Sequence, residues 1–272
     1  MSNASASDSL QLDTTIKGQS RLVVILGDSN TVKESAKILA TIGDVVRVSR
    51  GLFLIRGLDS KNHSILQALP AISFQRSLEI PSVNERGEDV SSKRVYAVVS
   101  YRFKNPTALQ KKRVERLVRK SISIRLRPGV LLFPVLRAKE KRRLLESDDK
   151  NGLMESRKVS EELRDLGAEV SRWSRLRLIE HQVKVHDAVV RTLTQDLDTL
   201  ETMSKDLRTQ AKSPEAEIKT LRKRYSILSR RYRELKVKWN FSRKLWNYDA
   251  SKPLIRGYNH VISTRRILEN LG

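Results

Sequence analysis

Residues Val45 to Ile55 read VVRVSRGLFLI, and residues Ser123 to Phe133 read SIRLRPGVLLF, 78 positions later. Each stretch begins with alternating residues, turns on a glycine (Gly51, Gly129) and continues as a nearly unbroken apolar run. Alternation suits a strand with one covered face, and the unbroken run suits a strand buried on both. Each stretch therefore predicts a hairpin whose second strand is central in a sheet.

The surroundings repeat as well. Before the first hairpin lies RLVVILG (Arg21–Gly27), a β-branched run ending in a turn signal. A helix capped by Ser29 or Asn30 follows to about Ala40, with Val32, Ala36 and Leu39 on one face. After the hairpin come a short helix near Ser60–Leu69, stopped by Pro70, and the strand AISFQRSLEI before Pro81. Before the second hairpin lie the strand VYAVVSYRF and the helix PTALQKKRVERLVRK, entered through Asn105-Pro106, with Leu109, Val114, Leu117 and Val118 inward. After it come the polar insertion ESDDKNG, the helix SRKVSEELRDLG ending on Gly167, and the strand AEVSRWSRLRL. The order βαββαβ thus occurs twice. It predicts an α+β chain with two tandem ferredoxin-like domains, at 21–80 and 94–179, behind a disordered polar tail at 1–20. That fold hosts many unrelated functions and licenses no activity by itself.

After Glu180 the period becomes heptads. Val183, His186, Val190, Leu193, Leu197, Leu200, Ser204 and Leu207 form one series. Arg208–Lys212 and Ser213-Pro214 interrupt it, and Ile218, Leu221, Tyr225, Leu228, Tyr232, Leu235 and Trp239 form a second. Two heptad helices with a short joint predict an antiparallel helical hairpin over 180–247, with one more short helix over 252–272.

The 272 residues include no cysteine, which excludes disulfide frameworks, thiolate zinc sites and cysteine nucleophiles. The N-terminus has no apolar core for a secretion signal, and no run approaches the ~18 apolar residues of a membrane span. The expectation is a cytoplasmic protein with no membrane partner.

The net charge of +23 is unevenly placed. Residues 1–90 carry 10 Lys/Arg against 10 Asp/Glu, residues 91–180 carry 24 against 11, and residues 181–272 carry 20 against 10. The excess begins sharply at Lys93. Its densest runs are Lys111, Lys112, Arg113, Arg116, Arg119 and Lys120 on the first helix of the second domain, with Glu115 as their one acidic neighbour. Arg125 and Arg127 on the hairpin, and Arg137, Lys139, Lys141, Arg142 and Arg143 after it, extend the set. The second heptad helix adds Arg222, Lys223, Arg230, Arg231, Arg233, Lys236 and Lys238, opposed by Glu234. A solvated helix face ordinarily carries acidic partners four residues away. Here they are missing, and a phosphate backbone is the polyanion that most commonly supplies them. Tyr225, Tyr232, Trp239 and Trp246 recur every seven residues among these cations, as base stacking would need. Their heptad position equally suits a packed seam.

Catalytic constellations are absent. The four histidines are scattered, and His181 and His186 lie off a common helix face. Asp28, in a Gly-Asp-Ser-Asn turn, reads as a turn former or helix cap, the alternative being a metal ligand. No cofactor is expected.

The second domain, over residues 94–178, resembles the ferredoxin-like N-terminal domain of chromate resistance protein B. That fold is shared with the small CRISPR adaptation protein and with the C-terminal region of phenylacetate-type repressors. The resemblance rests on VVSYRF ending the first strand, on the arginine-rich helix around Arg113 and Arg116, and on RPGVLLFP with Gly129 and Pro134. The CRISPR relatives carry an aspartate at the end of the first strand, where this chain has Ser100-Tyr101. The departure argues against metal-dependent nuclease chemistry in the second domain. What the resemblance implies is nucleic-acid binding or transcriptional regulation rather than catalysis.

The expected function is therefore non-enzymatic binding of DNA or RNA by the basic domain and the basic helix. The neutral first domain would serve packing or homodimer formation, leaving Arg47, Arg50 and Arg56 outside the binding surface. The alternatives are a metal-dependent nuclease using Asp28 and an adaptor docking an acidic protein partner.

Overall fold

The computed structural model describes residues 20–56, 63–76, 95–136, 138, 141, 153–179, 182–213, 217–246 and 248–270. Expectations for the N-terminal tail, the ESDDKNG insertion, Pro214 and the cations Arg137, Lys139, Arg142 and Arg143 lie outside them, whereas the expected interruption at Arg208–Lys212 is overturned by a helix that continues to Ala211. Among the described residues the chain is mixed α+β, with eight strands in one antiparallel sheet and seven helices. It divides into two compact units, residues 1–137 with 154–188, and residues 138–153 with 189–272.

In the first unit the elements run β1 (Arg21–Ile25), α1 (Ser29–Leu39), β2 (Asp44–Ser49), β3 (Leu52–Arg56), α2 (His63–Ala68) and β4 (Ala71–Arg76). The same order follows as β5 (Val95–Arg102), α3 (Ala108–Arg119), β6 (Ile124–Arg127), β7 (Val130–Pro134), α4 (Ser156–Asp165) and β8 (Glu169–Ile179). The sheet order is β2-β3-β1-β4-β8-β5-β7-β6, so each half places its strands alike and the halves join along β4 and β8. The repeated stretches are β2–β3 and β6–β7, and their apolar members β3 and β7 sit inside the sheet with every residue from Leu52 to Ile55 and from Val130 to Pro134 buried. Burial of each such Leu, Ile or Phe side chain contributes about 1.5–3 kcal/mol.

The repeat extends to backbone detail. A register shift falls between Arg47 and Ser49 in the first hairpin and between Arg125 and Arg127 in the second. Both turns end on a glycine in the left-handed region, φ 76° at Gly51 and 80° at Gly129. Each glycine carbonyl accepts from the neighbouring strand at 2.8 Å, from Ile25 N–H and from Tyr101 N–H. An extra residue in one strand, followed by a positive φ, turns and twists a hairpin tip.

Two helix starts differ from expectation. The cap of α1 is Asp28, whose carboxylate accepts from the backbone of Asn30 and Thr31 at 3.1 and 2.8 Å, in place of Ser29 or Asn30. The α3 helix starts after Asn105-Pro106, where Thr107 and Gln110 form a reciprocal capping box. That later start leaves Leu109 in the first turn, 60 % exposed, while Val114, Leu117 and Val118 turn inward.

In the second unit, α5 (Gln182–Ala211, its first turns belonging to the first unit) is followed by α6 (Ile218–Trp246) and α7 (Ser251–Glu269). Asp196, Met203 and Gln210 of α5 meet Lys238, Arg231 and Arg224 of α6, so one numbering rises as the other falls. The last segment is longer than a short helix. At 19 residues α7 joins this packing, with Ser204 bonded to Thr264 at 2.8 Å and Gly257 against Leu200 and Leu197. Tyr232 lies 5.6 Å from Tyr258, ring to ring. Among the described residues no helix is long and apolar enough to cross a membrane.

Candidate nucleic-acid interface

The two hairpin tips meet. Arg127, at the end of β6, donates from Nη1 to the carbonyl of Ile25 at 2.5 Å, and its guanidinium occupies the space where a Cβ on Gly51 would stand. In a flat sheet β6 and β1 would lie about 24 Å apart, five strand spacings. The contact therefore requires the eight strands to curl, as twisted sheets do.

A cavity of about 440 Å³ opens between the tips. Ser49 and Arg50 line it from the first tip, and Arg125, Pro128 and Gly129 from the second. Tyr101 and Phe103 at the end of β5 form one wall, their rings edge to face at 6.4 Å. Lys111, Val114 and Glu115 of α3 form another. Arg102, also in the lining, is bound to Glu169 at 2.7 Å. Arg50 is held toward the α1 terminus by the Ser29 hydroxyl. Burial raises the Tyr101 phenol above its usual range, Arg125 opposes this and Glu115 adds to it. Beneath the tips, burial lowers the Arg127 pKa, and repulsion from Arg50 and Arg47 lowers it further.

The sequence candidates separate on this geometry. Lys112, Arg113, Arg116 and Lys120 are exposed on the outer arc of α3 and Arg119 is half-buried beside them, while Lys111 faces the cavity. None of these six has an ion-pair partner among the described residues. On α6, Arg222, Lys223, Arg233 and Lys236 are exposed and equally without an ion pair among the described residues. Arg230 lies 3.9 Å from Glu234, and Arg231 packs on the Met203 sulfur.

Two candidates are corrected. Arg127 is buried, 8 % exposed, and its guanidinium is spent on the Ile25 carbonyl, because the curled sheet carries this tip over the other. Lys238 is 5 % exposed and pairs with Asp196 at 3.2 Å, since its heptad place faces α5. The heptad aromatics Tyr225, Tyr232 and Trp239 are half-buried, with Arg243 5.5 Å above the Trp239 ring; the Trp246 side chain lies outside the described ones. Asp28 is committed to its cap, and Thr31 Oγ1 also donates to it at 2.8 Å.

Sequence reasoning missed Arg50, Tyr101 and Phe103. Arg50 sits in the neutral block, yet the tip contact carries it beside Arg125 and Lys111. In the repeated stretch Arg50 matches Pro128, the other tip residue in the lining, and that match was the available signal. Arg56, by contrast, lies 3.9 Å from Asp44. Neither the protein-family models nor the curated proteins contain a match to this chain.

Proposed function

We propose that this chain binds nucleic acid through its phosphate backbone, without catalysis, using the outer arc of α3 in the first unit and the exposed basic face of α6 in the second. The observation that carries the reading is the set of unpaired cations on those two helices, six on α3 and four on α6. Keeping so many like charges adjacent without carboxylates costs self-repulsion that a polyanion relieves. The repeated strand order, shared bulges and matching glycine turns support reading the first unit as two tandem ferredoxin-like domains fused along β4 and β8. The falling register of α5 against α6 supports an antiparallel pair, with α7 as a third helix. The proposal places the protein in the cytoplasm and, following the resemblance of its second domain, in transcriptional regulation.

The test is binding of heteropolymer DNA and RNA by the full chain and by an Arg113→Glu, Arg116→Glu, Arg119→Glu variant. The variant should bind more weakly on every sequence and show a salt dependence shallower by about three ion equivalents. Equal binding by both proteins would remove α3 from the interface. Tighter binding to an acidic protein surface than to either polymer would favour an adaptor.

A further inference from the structure

We propose that the cavity between the hairpin tips seats one unstacked nucleotide of a single strand. Its base lies against Tyr101 and Phe103, and its phosphate against Arg50, Lys111 and Arg125. This deepens the nucleic-acid reading and rests on it.

At about 440 Å³ the cavity falls in the size range of sites that enclose a small organic ligand. It admits one base and its phosphate, whereas the bases of a duplex are held in their stack. Tyr101 and Phe103 meet edge to face, which leaves ring surface for a base to cover. Arg50, Lys111 and Arg125 line the cavity with one carboxylate, Glu115, while the fourth lining cation, Arg102, is bound to Glu169. The tip beneath adds to this field. Arg127 is buried, its Nε has no hydrogen-bond partner, and the charges acting on it are the arginines 50 and 47. Arg127 does not line the cavity, but a buried arginine beside the arginines 50 and 47 adds to the positive field at this tip, so the favoured ligand brings negative charge. An acidic side chain would satisfy the cations and leave the aromatic wall uncovered. A nucleotide satisfies both.

The experiment uses the full chain with adenosine 5′-monophosphate, inorganic phosphate and a polyglutamate peptide as probes, followed by tyrosine fluorescence and ligand-observed NMR. The variants are Arg50→Glu, at an exposed side chain, and Tyr101→Leu, with circular dichroism confirming that each stays folded. The nucleotide should bind saturably, and Tyr101→Leu should weaken it about tenfold or more, the loss of one stacking partner. Arg50→Glu should weaken it as well, because a carboxylate then faces the phosphate. Absence of nucleotide binding would overturn the proposal, and so would phosphate or polyglutamate binding as tightly as the nucleotide. If polymers bind the wild type and both cavity variants equally, the cavity assignment falls and the phosphate-backbone reading stands. If the nucleotide binds but polymers do not, the cavity stands as a nucleotide site and the backbone reading falls.

Discussion

Gly51 carries the tip contact at the scale of a single residue. Its φ of 76° strains any L side chain, and an added Cβ would also displace the Arg127 guanidinium. Gly51→Ala should therefore lower stability by about 2 kcal/mol in urea unfolding. In an Arg127→Met background part of that loss should disappear, because the blocking group is gone. Gly129→Ala should show no such relief, since its Cβ would meet the Tyr101 backbone carbonyl at 2.8 Å. Equal losses for Gly51→Ala in both backgrounds would mean the tips do not touch as described. Tyr101 offers a titration. Burial is the largest cause of its raised pKa, so the folded chain keeps this proton where an unfolded one loses it. Stability contributed by the neutral phenol is present below about pH 10 and falls as pH rises beyond it. Tyr101→Phe should flatten that alkaline decline, measured by urea midpoints across the range. An unchanged decline would place the phenol in water.

Among the elements, α6 shows how one helix divides its cations. Lys238 faces α5 and is matched by Asp196, while Arg222, Arg233 and Lys236 face outward. Lys238→Ala should destabilise the chain by about 2–3 kcal/mol, because it leaves a partly buried carboxylate unpaired. Lys238→Met with Asp196→Asn should recover part of that loss, read from the same urea midpoints. Reversing Arg222, Arg233 and Lys236 to Glu should leave stability within about 0.5 kcal/mol and weaken polymer binding. A stability loss as large as that of Lys238→Ala would show these side chains to be packed. The same element shows what the sequence could and could not reveal. Heptad positions told which residues turn inward, since Leu221, Leu228 and Leu235 are buried as their spacing requires. They did not separate Lys238 from its exposed neighbours, because its partner Asp196 lies 42 positions away. Nor did they show that α7 would cover Tyr232.

The whole molecule follows the same division. Most of what is encoded within about fifteen residues was legible, namely both hairpins, the helices between them, and Gly51 and Gly129 at the turns; the Asp28 cap and the Thr107 start that leaves Leu109 exposed were not. What depended on distant pieces meeting was not. The joining of β4 to β8, the curl that carries Arg127 to Ile25, and the cavity between the tips link residues up to 106 positions apart, as at Ser73 and Ile179. No local period records such a meeting. Charge was legible as a total but not as a surface, since Arg50 belongs by sequence to a neutral block and by structure to the basic cavity.

The central claim is that phosphate neutralisation by the cations of α3 and α6 drives association. Its most direct test is the affinity of the full chain for a heteropolymer duplex over a range of salt concentrations. With about six phosphates neutralised, the logarithm of the binding constant should fall against the logarithm of salt with a slope of about −5. A slope near zero, or no binding at low salt, would contradict the account.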